Sequence, residues 1–202
     1  MENDLTSQDK QRIAESIRGK YVKVAVSPEG LFRYPTGRAG LEALDYGPQI
    51  IQALPEAVAA AYCGVGNPFT LGPIHPGEAV LDIGCGAGVD SIIAAKMVGP
   101  EGKVTGIDLV SEMLARAREN ARLAGVDNVT FQESSAEQLP FPDKSFDVVI
   151  SNGVINLVVD KVKAVGEVIR VLKPGGRFML ADQVLAGELP KETKARMENW
   201  AK

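Results

Sequence analysis

The chain has 202 residues, of which 45% are hydrophobic and 24% charged, so it is long enough for one sizeable domain and too apolar to be wholly disordered. Its net charge of −4 and the lack of a Lys/Arg block argue against a nucleic-acid partner. No apolar run approaches the roughly 18 residues that span a bilayer, and no signal peptide is visible, so we expect a cytoplasmic protein without a membrane partner.

The pattern of residues changes near residue 70. Residues 1–70 predict an N-terminal helical cap and lid, and residues 71–202 predict a ligand-binding core. The Gly/Pro-rich segment Ser27–Pro48 keeps its aromatic residues, which is typical of a lid or docking loop. The helices predicted on either side of it are Leu5–Val26, with Thr6 or Ser7 as N-cap, and Pro55–Tyr62.

After residue 76, short apolar runs alternate with helical patterns. The predicted strands are Val80–Ile83, Lys103–Ile107, Val129–Gln132, Phe146–Ser151 and Arg177–Leu185. The predicted helices are Asp90–Val98, Ser111–Leu123 and Asp160–Leu172, the last with a core face at Val162, Val165, Ile169 and Leu172. This alternation predicts an α/β fold: a doubly wound, mostly parallel sheet with five visible strands, Rossmann-like in layout.

Three glycines follow the first predicted strand, where the next helix begins. Gly84, Gly86 and Gly88 would let the backbone turn sharply and approach a ligand at the helix N-terminus. Val89 stands where a dinucleotide fingerprint has its last glycine, which argues against NAD. Asp82 would repel a phosphate but can accept a hydrogen bond from an amine.

An acidic residue, Asp108, ends the second predicted strand. A carboxylate at this place in a doubly wound fold can accept hydrogen bonds from both ribose hydroxyls. It could instead cap the helix that follows. Ser111 is expected to cap that helix, so we favour the ligand role.

The stretch from Pro76 to Leu185 resembles the class I S-adenosylmethionine-dependent methyltransferases. Besides the glycine loop, it carries L-P-F-x-D-x-S-F-D at 139–147 and R-V-L-K-P-G-G at 170–176. The resemblance implies S-adenosyl-L-methionine as cofactor, with its methionine at the glycine loop, its ribose at Asp108 and its adenine beside the residues after the third strand. The candidate cofactor-binding residues are Asp82, Gly84, Cys85, Gly86, Gly88, Asp90, Asp108, Leu109, Met113, Ser135, Ala136, Glu137 and Asn152.

A narrower resemblance is to the arsenite methyltransferases. Residues 151–161 resemble their S-N-C-V-I-N-L-x-P-D-K, and residues 64–68 resemble their G-C-G-N-P. Gly153 and Val65 stand where those enzymes have arsenic-binding cysteines, and a third cysteine would fall just beyond Trp200. Because As(III) is soft and needs thiolates, we expect the scaffold without the metalloid site, and no metal.

The resemblance implies methyl transfer to a small-molecule acceptor other than arsenite. A non-catalytic cofactor-binding protein and a quinone-type C-methyltransferase are the alternatives, and an NAD enzyme is a distant third. The reaction mainly needs nucleophile and methyl held in line, so no catalytic residue is identified. Asn152, Asn156, Tyr21 and Tyr46 are the candidates to face the acceptor, whereas Cys63 and Cys85 are expected to be packing residues.

The predicted fifth strand raises a question about the sheet edge. In the family, two further strands normally follow it, but here only a predicted helix, Pro190–Lys202, remains. An exposed apolar edge is an association hazard. We therefore expect either a fragment of a longer chain or a homodimer that covers this edge.

Overall fold

A computed structural model describes residues 5–184 of the chain. Its N-terminal part contains helices α1 (Ser7–Val26), α2 (Gly37–Ala43), α3 (Pro48–Gln52) and α4 (Glu56–Ala59), then a 3-10 turn at Pro68–Leu71. The predicted cap of α1 is confirmed, because Thr6 Oγ1 accepts a hydrogen bond from Asp9 N while Asp9 Oδ2 accepts one from Thr6 N.

The core is a five-stranded parallel sheet flanked by helices, as predicted. Its strands are β1 (Ala79–Ile83), β2 (Lys103–Asp108), β3 (Val129–Glu133), β4 (Phe146–Asn152) and β5 (Leu172–Ala181). The helices that connect them are α5 (Val89–Val98), α6 (Ser111–Ala124) and α7 (Lys161–Val171), with a 3-10 turn at Ile155–Leu157. The strand order is β3-β2-β1-β4-β5, so the winding reverses between β1 and β4. Ligands bind in doubly wound folds at the carboxyl ends of strands at such a switch point.

The central strands are buried on both faces. Val148, Val149 and Ile150 of β4 are inaccessible to solvent, which confirms the prediction from their continuous apolar run. β1 pairs with both β2 and β4 and brings Asp82 opposite Gly106 and Ile150. The sheet therefore forms a rigid floor from which the ends of β1, β2 and β4 present their side chains.

The predicted core face of α7 is wrong. Val162 and Ile169 are 79% and 68% exposed, whereas Ala164, Val168 and Val171 are buried against the sheet residues Leu81, Ile83 and Val149. Both sets repeat at helical spacing, so the periodicity alone could not choose between them. The small Ala164 lets the helix backbone lie close to the sheet, and that favours the observed face.

The last strand differs from its predicted course. β5 begins at Leu172 and runs through Pro174-Gly175-Gly176 as a bulge, with the register shifting between Phe146 and Val148 of β4. The Pro-Gly-Gly sequence therefore bends the strand and does not precede it. Within residues 5–184, β5 is an edge strand. The strand ends at Ala181, so the predicted run to Leu185 is wrong: residues 182–184 are described and are not part of it. The predicted helix Pro190–Lys202 lies outside the described residues, and the homodimer stays a prediction.

The N-terminal part packs into the same core as the sheet. Val24, Leu41 and Val58 share one apolar cluster with Ile92 and Met113. The predicted domain boundary near residue 70 stays a prediction. Within the described part of the chain, no helix is long and apolar enough to cross a membrane.

Candidate active site

A cavity of about 580 Å³ opens at the carboxyl ends of β1, β2 and β4, where the switch point predicts a ligand. Its floor consists of the end of β1, the glycine loop, the start of α5 and the residues after β2 and β3. Of the candidate residues, it includes Asp82, Gly84, Cys85, Gly86, Asp90, Asp108, Leu109, Ser135, Ala136, Glu137 and Asn152.

The opposite wall belongs to α1. Ile17, Arg18 and Tyr21 line the cavity from this helix, together with residues of its N-terminal half. The segment Ser27–Pro48 contributes no lining residue. Its α2 and Tyr46 are instead packed into the core, with Leu41 and Tyr46 buried. In this structure α1 forms that wall, and the lid interpretation of Ser27–Pro48 stays a prediction.

Asp82 is a buried carboxyl on the cavity wall. It is 2% exposed, and its Oδ2 accepts a hydrogen bond of 2.5 Å from Ser91 Oγ. Burial, with a further contribution from the neighbouring Asp90, raises the pKa of Asp82 to about 8. No ion pair joins Asp82 or Asp90 to a basic side chain in residues 5–184. Because an unpaired buried anion is costly, this wall fits a cationic group of a ligand.

Asp108 connects the end of β2 to the glycine loop. Its Oδ2 accepts a hydrogen bond from Gly86 N at 3.0 Å and its Oδ1 one from Val110 N at 2.9 Å. The expectation that Ser111 caps α6 is wrong. Val110 is the N-cap residue, and Ser111 Oγ donates a hydrogen bond to Glu112 Oε2. Burial raises the pKa of Asp108. A carboxylate has about four lone-pair positions, so two remain for ligand hydroxyls.

Asp90 lies in the first turn of α5 and is 8% exposed. Its Oδ1 accepts a hydrogen bond from Tyr46 Oη at 2.7 Å, and its Oδ2 accepts one from Asn152 Nδ2 at 2.9 Å. Burial raises the pKa of Asp90 to about 6. Both carboxylate oxygens therefore have protein partners, even though the residue lines the cavity.

The wall beyond β3 is more exposed. Leu109 is 52% exposed on the cavity side, where a flat apolar group of a ligand could rest on it. Ser135 Oγ accepts a hydrogen bond from Glu137 N, and Glu137 Oε1 accepts one from Asp160 N. These contacts order the loop after β3 without using the Ser135 hydroxyl proton.

Two candidate residues do not line the cavity. Gly88 is the N-cap residue of α5, at φ +79°, and a Cβ there would lie 3.0 Å from side-chain atoms of Ala117 and Phe131. Met113 is fully buried beneath Gly86. Both residues are therefore placed for packing under the loop.

Of the residues expected to face the acceptor, Tyr21 and Asn152 line the cavity, whereas Tyr46 and Asn156 do not. Tyr46 is buried against Asp90, and the Asn156 backbone N–H donates to Asp182. Sequence reasoning missed Ile17 and Arg18 of α1. A helical pattern marks an apolar face, but it does not say what the face covers.

Val65 and Gly153, the two positions that resemble cysteine positions of the arsenite methyltransferases, meet in space. A Cβ on Gly153 would lie 3.2 Å from both γ-carbons of Val65. Gly153 and the neighbouring Cys63 and Gly64 line the cavity. Burial raises the pKa of the Cys63 thiol to about 12, and the pKa of the Cys85 thiol rises for the same reason. Both are therefore protonated at neutral pH.

Residues 74–202 match the family described as "Methyltransferase domain". The chain belongs to this family. Its fold, its glycine loop and the acidic residue that ends β2 place it among the class I S-adenosylmethionine-dependent methyltransferases.

Curated relatives of the chain have names that give different acceptors. The chain is 34% identical over 212 residues to an arsenite methyltransferase from Halobacterium salinarum, covering 96% of this chain and 54% of that one. It is 41% identical over 109 residues to a demethylmenaquinone methyltransferase from Listeria welshimeri, covering 54% and 46%. The chain thus spans about half the length of these relatives.

A solved structure is also similar to the chain. The arsenic(III) S-adenosylmethionine methyltransferase of Chlamydomonas reinhardtii matches with a TM-score of 0.56 and 36% identity. The match covers 74% of this chain and 50% of that one.

Proposed function

We propose that this chain binds S-adenosylmethionine in the cavity and transfers its methyl group to a small-molecule acceptor. The observation that carries the proposal is the buried Asp82, which lines the cavity at the switch point without a basic partner. S-adenosylmethionine has the cationic ammonium that such a carboxylate fits, and a ribose for Asp108. Leu109 and residues 135–137 would contact the adenine.

When bound, this cofactor supplies a methyl carbon that is already activated by a sulfonium. The residues of the chain then have to orient the acceptor and exclude water, and a correct near-attack geometry provides much of the rate. Burial raises the pKa of Tyr21 well above its ordinary value, so Tyr21 and Cys63 both keep their protons at neutral pH. Each can donate a hydrogen bond to an acceptor atom, and neither is suited to act as a base.

We propose that arsenite is not the acceptor. Val65 and Gly153 meet where two thiolates would be needed, and they offer only apolar carbon and backbone. Cys63 lies beside this contact, but one protonated thiol is a poor site for As(III).

A quinol ring is the second candidate acceptor. The cavity lining also includes Ile17, Leu157 and Val158, whose apolar side chains would suit an apolar ring. The name of the Listeria relative agrees with this reading. A cofactor-binding protein without turnover is the remaining alternative, and an assay separates it from an enzyme.

The test is formation of S-adenosylhomocysteine by the purified chain with a panel of small thiols, quinols and arsenite. We expect turnover with an apolar thiol or a quinol and none above background with arsenite. The variant Asp82→Asn should bind the cofactor at least tenfold more weakly. Cofactor binding without turnover on a broad panel would favour the non-catalytic alternative. Unchanged cofactor affinity in the Asp82 variant would show that the ammonium is placed wrongly.

A further inference from the structure

Four polar side chains from four separate segments form one hydrogen-bonded set at a short turn, Gly64–Gly66; three of them contact the turn, and Asp90 accepts hydrogen bonds from two of those three. They are Tyr46 after α2, Tyr62 after α4, Asp90 in the first turn of α5 and Asn152 at the end of β4. We call this set the turn clamp. Tyr46, Tyr62 and Asp90 are buried, and Asn152 is half-buried.

Asn152 is the centre of the clamp. Its Oδ1 accepts hydrogen bonds from Val65 N at 2.8 Å and Gly66 N at 3.1 Å. Its Nδ2 donates to Gly66 O at 2.7 Å and to Asp90 Oδ2 at 2.9 Å. The amide therefore binds the turn through both of its ends and is itself oriented by Asp90.

The tyrosines complete the set. Tyr46 Oη and Tyr62 Oη approach Gly66 O at 3.2 and 2.9 Å, and they lie 3.2 Å from each other. The clamp leaves no room for a side chain at Gly64, because a Cβ there would overlap Asn152 Nδ2 and Tyr62 Oη. The same turn holds Val65 against Gly153.

We propose that Asp90 and Asn152 are positioning residues that fix the Gly64–Gly66 turn against Gly153 and so set the shape of the acceptor end of the cavity. In calling this the acceptor end, the inference rests on the proposed function. Asp90 acts through Asn152 and Asn152 through the turn, so neither needs to touch the acceptor. Their polar atoms are already used by protein partners, which argues for positioning.

Exchanging the two side chains gives a sharp test. In Asp90→Asn, the new amide cannot accept from both Tyr46 and Asn152, and in Asn152→Asp two buried carboxylates face each other. In the double variant D90N/N152D, Asn at 90 can donate to Asp at 152, which still accepts from the Val65 and Gly66 amides. The carboxylate cannot donate to Gly66 O, so that carbonyl keeps only the tyrosine hydroxyls as donors and the rescue is partial. A positioning role thus predicts rescue, whereas independent structural damage predicts that the two losses combine.

The measurement is hydrogen exchange of the Val65 and Gly66 amides, with Tyr34→Phe as the control. Tyr34 Oη donates to Cys63 O beside the turn but outside the clamp. We expect each single variant to exchange these amides at least tenfold faster than the wild type. The double variant should exchange them more slowly than either single variant, and the control should match the wild type. The KM for the acceptor should follow the exchange data: it rises in the single variants and falls again in the double variant.

Unchanged exchange in the single variants, or a double variant at the product of the two losses, would overturn the inference. The affinity of the wild-type chain for S-adenosylmethionine is measured on the same wild-type sample that is used for hydrogen exchange. Failure of the wild type to bind the cofactor would remove the proposed function, whereas the exchange result would still decide whether the clamp exists.

Discussion

Val65 lies directly against Gly153, with both of its γ-carbons 3.2 Å from the place a Cβ on Gly153 would occupy. The two residues come from distant segments, one before the sheet and one after β4. Each resembles, by sequence context, a cysteine position of the arsenite methyltransferases. Because the two residues are in contact, replacing both with cysteine would bring two thiols together at the cavity.

The double variant Val65→Cys/Gly153→Cys should therefore gain arsenite binding that the wild type lacks. Gly153 has φ +74°, so a side chain there adds backbone strain of about 1–2 kcal/mol, and the variant should also be somewhat less stable. Arsenite binding is measured by calorimetry, with Val65→Cys alone as the one-thiol control. Efficient methylation of arsenite by the wild-type chain would contradict the argument.

Asp108→Ala should weaken S-adenosylmethionine binding by at least tenfold. It removes the carboxylate expected to hold the ribose, and hydrogen bonds to charged groups contribute about 1.5–3 kcal/mol each. It also removes the acceptor of the hydrogen bond that Gly86 N donates to Asp108 Oδ2. Asp127→Ala, an exposed change outside the cavity wall, is the control. If calorimetry finds equal affinities, the placement of the ribose is wrong.

Asp82→Asn should raise the free energy of unfolding of the ligand-free chain, and increasingly so as the pH rises. The folded pKa of about 8 lies above the unfolded value of 3.8, so the folded state binds the proton more tightly and the wild type loses stability between those values. At pH 8 the gain should be on the order of 1–3 kcal/mol. Urea denaturation at pH 5 and pH 8 measures it. If Asp82→Asn raised the free energy of unfolding equally at both pH values, the raised pKa of Asp82 would be excluded as the cause.

Cofactor binding should slow hydrogen exchange in α1 more than in Ser27–Tyr46. Only α1 of these two segments lines the cavity, whereas Leu41 and Tyr46 are already buried in the core. Peptides from both segments of the same sample provide an internal comparison. Protection confined to Ser27–Tyr46 would support the lid interpretation instead.

Most of the fold follows from local patterns. Runs such as Val148–Ile150 are typical of buried strands, and glycines at a strand-to-helix transition indicate a ligand loop. The face of α7 could not be predicted, because Val162 and Ile169 are seven residues apart, and so are Ala164 and Val171 on the observed face. The choice depends on how closely a backbone approaches the sheet, and a single sequence does not encode that in its periodicity.

The candidate site, too, was predictable only in part. Asp82 and Asp108 are predictable because they end strands, and strand ends meet at one edge of a parallel sheet. The partners of Asp90 were not predictable. Tyr46 and Tyr62 come from the irregular N-terminal part, so only the tertiary fold brings their hydroxyls to Gly66 O and, for Tyr46, to Asp90. Tyr21 of α1 was expected to face the acceptor, but Ile17 and Arg18 were missed, because a helical pattern does not show what the helix covers.

The most direct test of the account is a pair of calorimetric titrations of the wild-type chain, one with S-adenosylmethionine and one with NAD. The account predicts binding of one equivalent of S-adenosylmethionine, weakened at least tenfold in Asp82→Asn and Asp108→Ala, and no measurable binding of NAD. Binding of NAD in preference to S-adenosylmethionine, or S-adenosylmethionine binding that neither substitution alters, would contradict it.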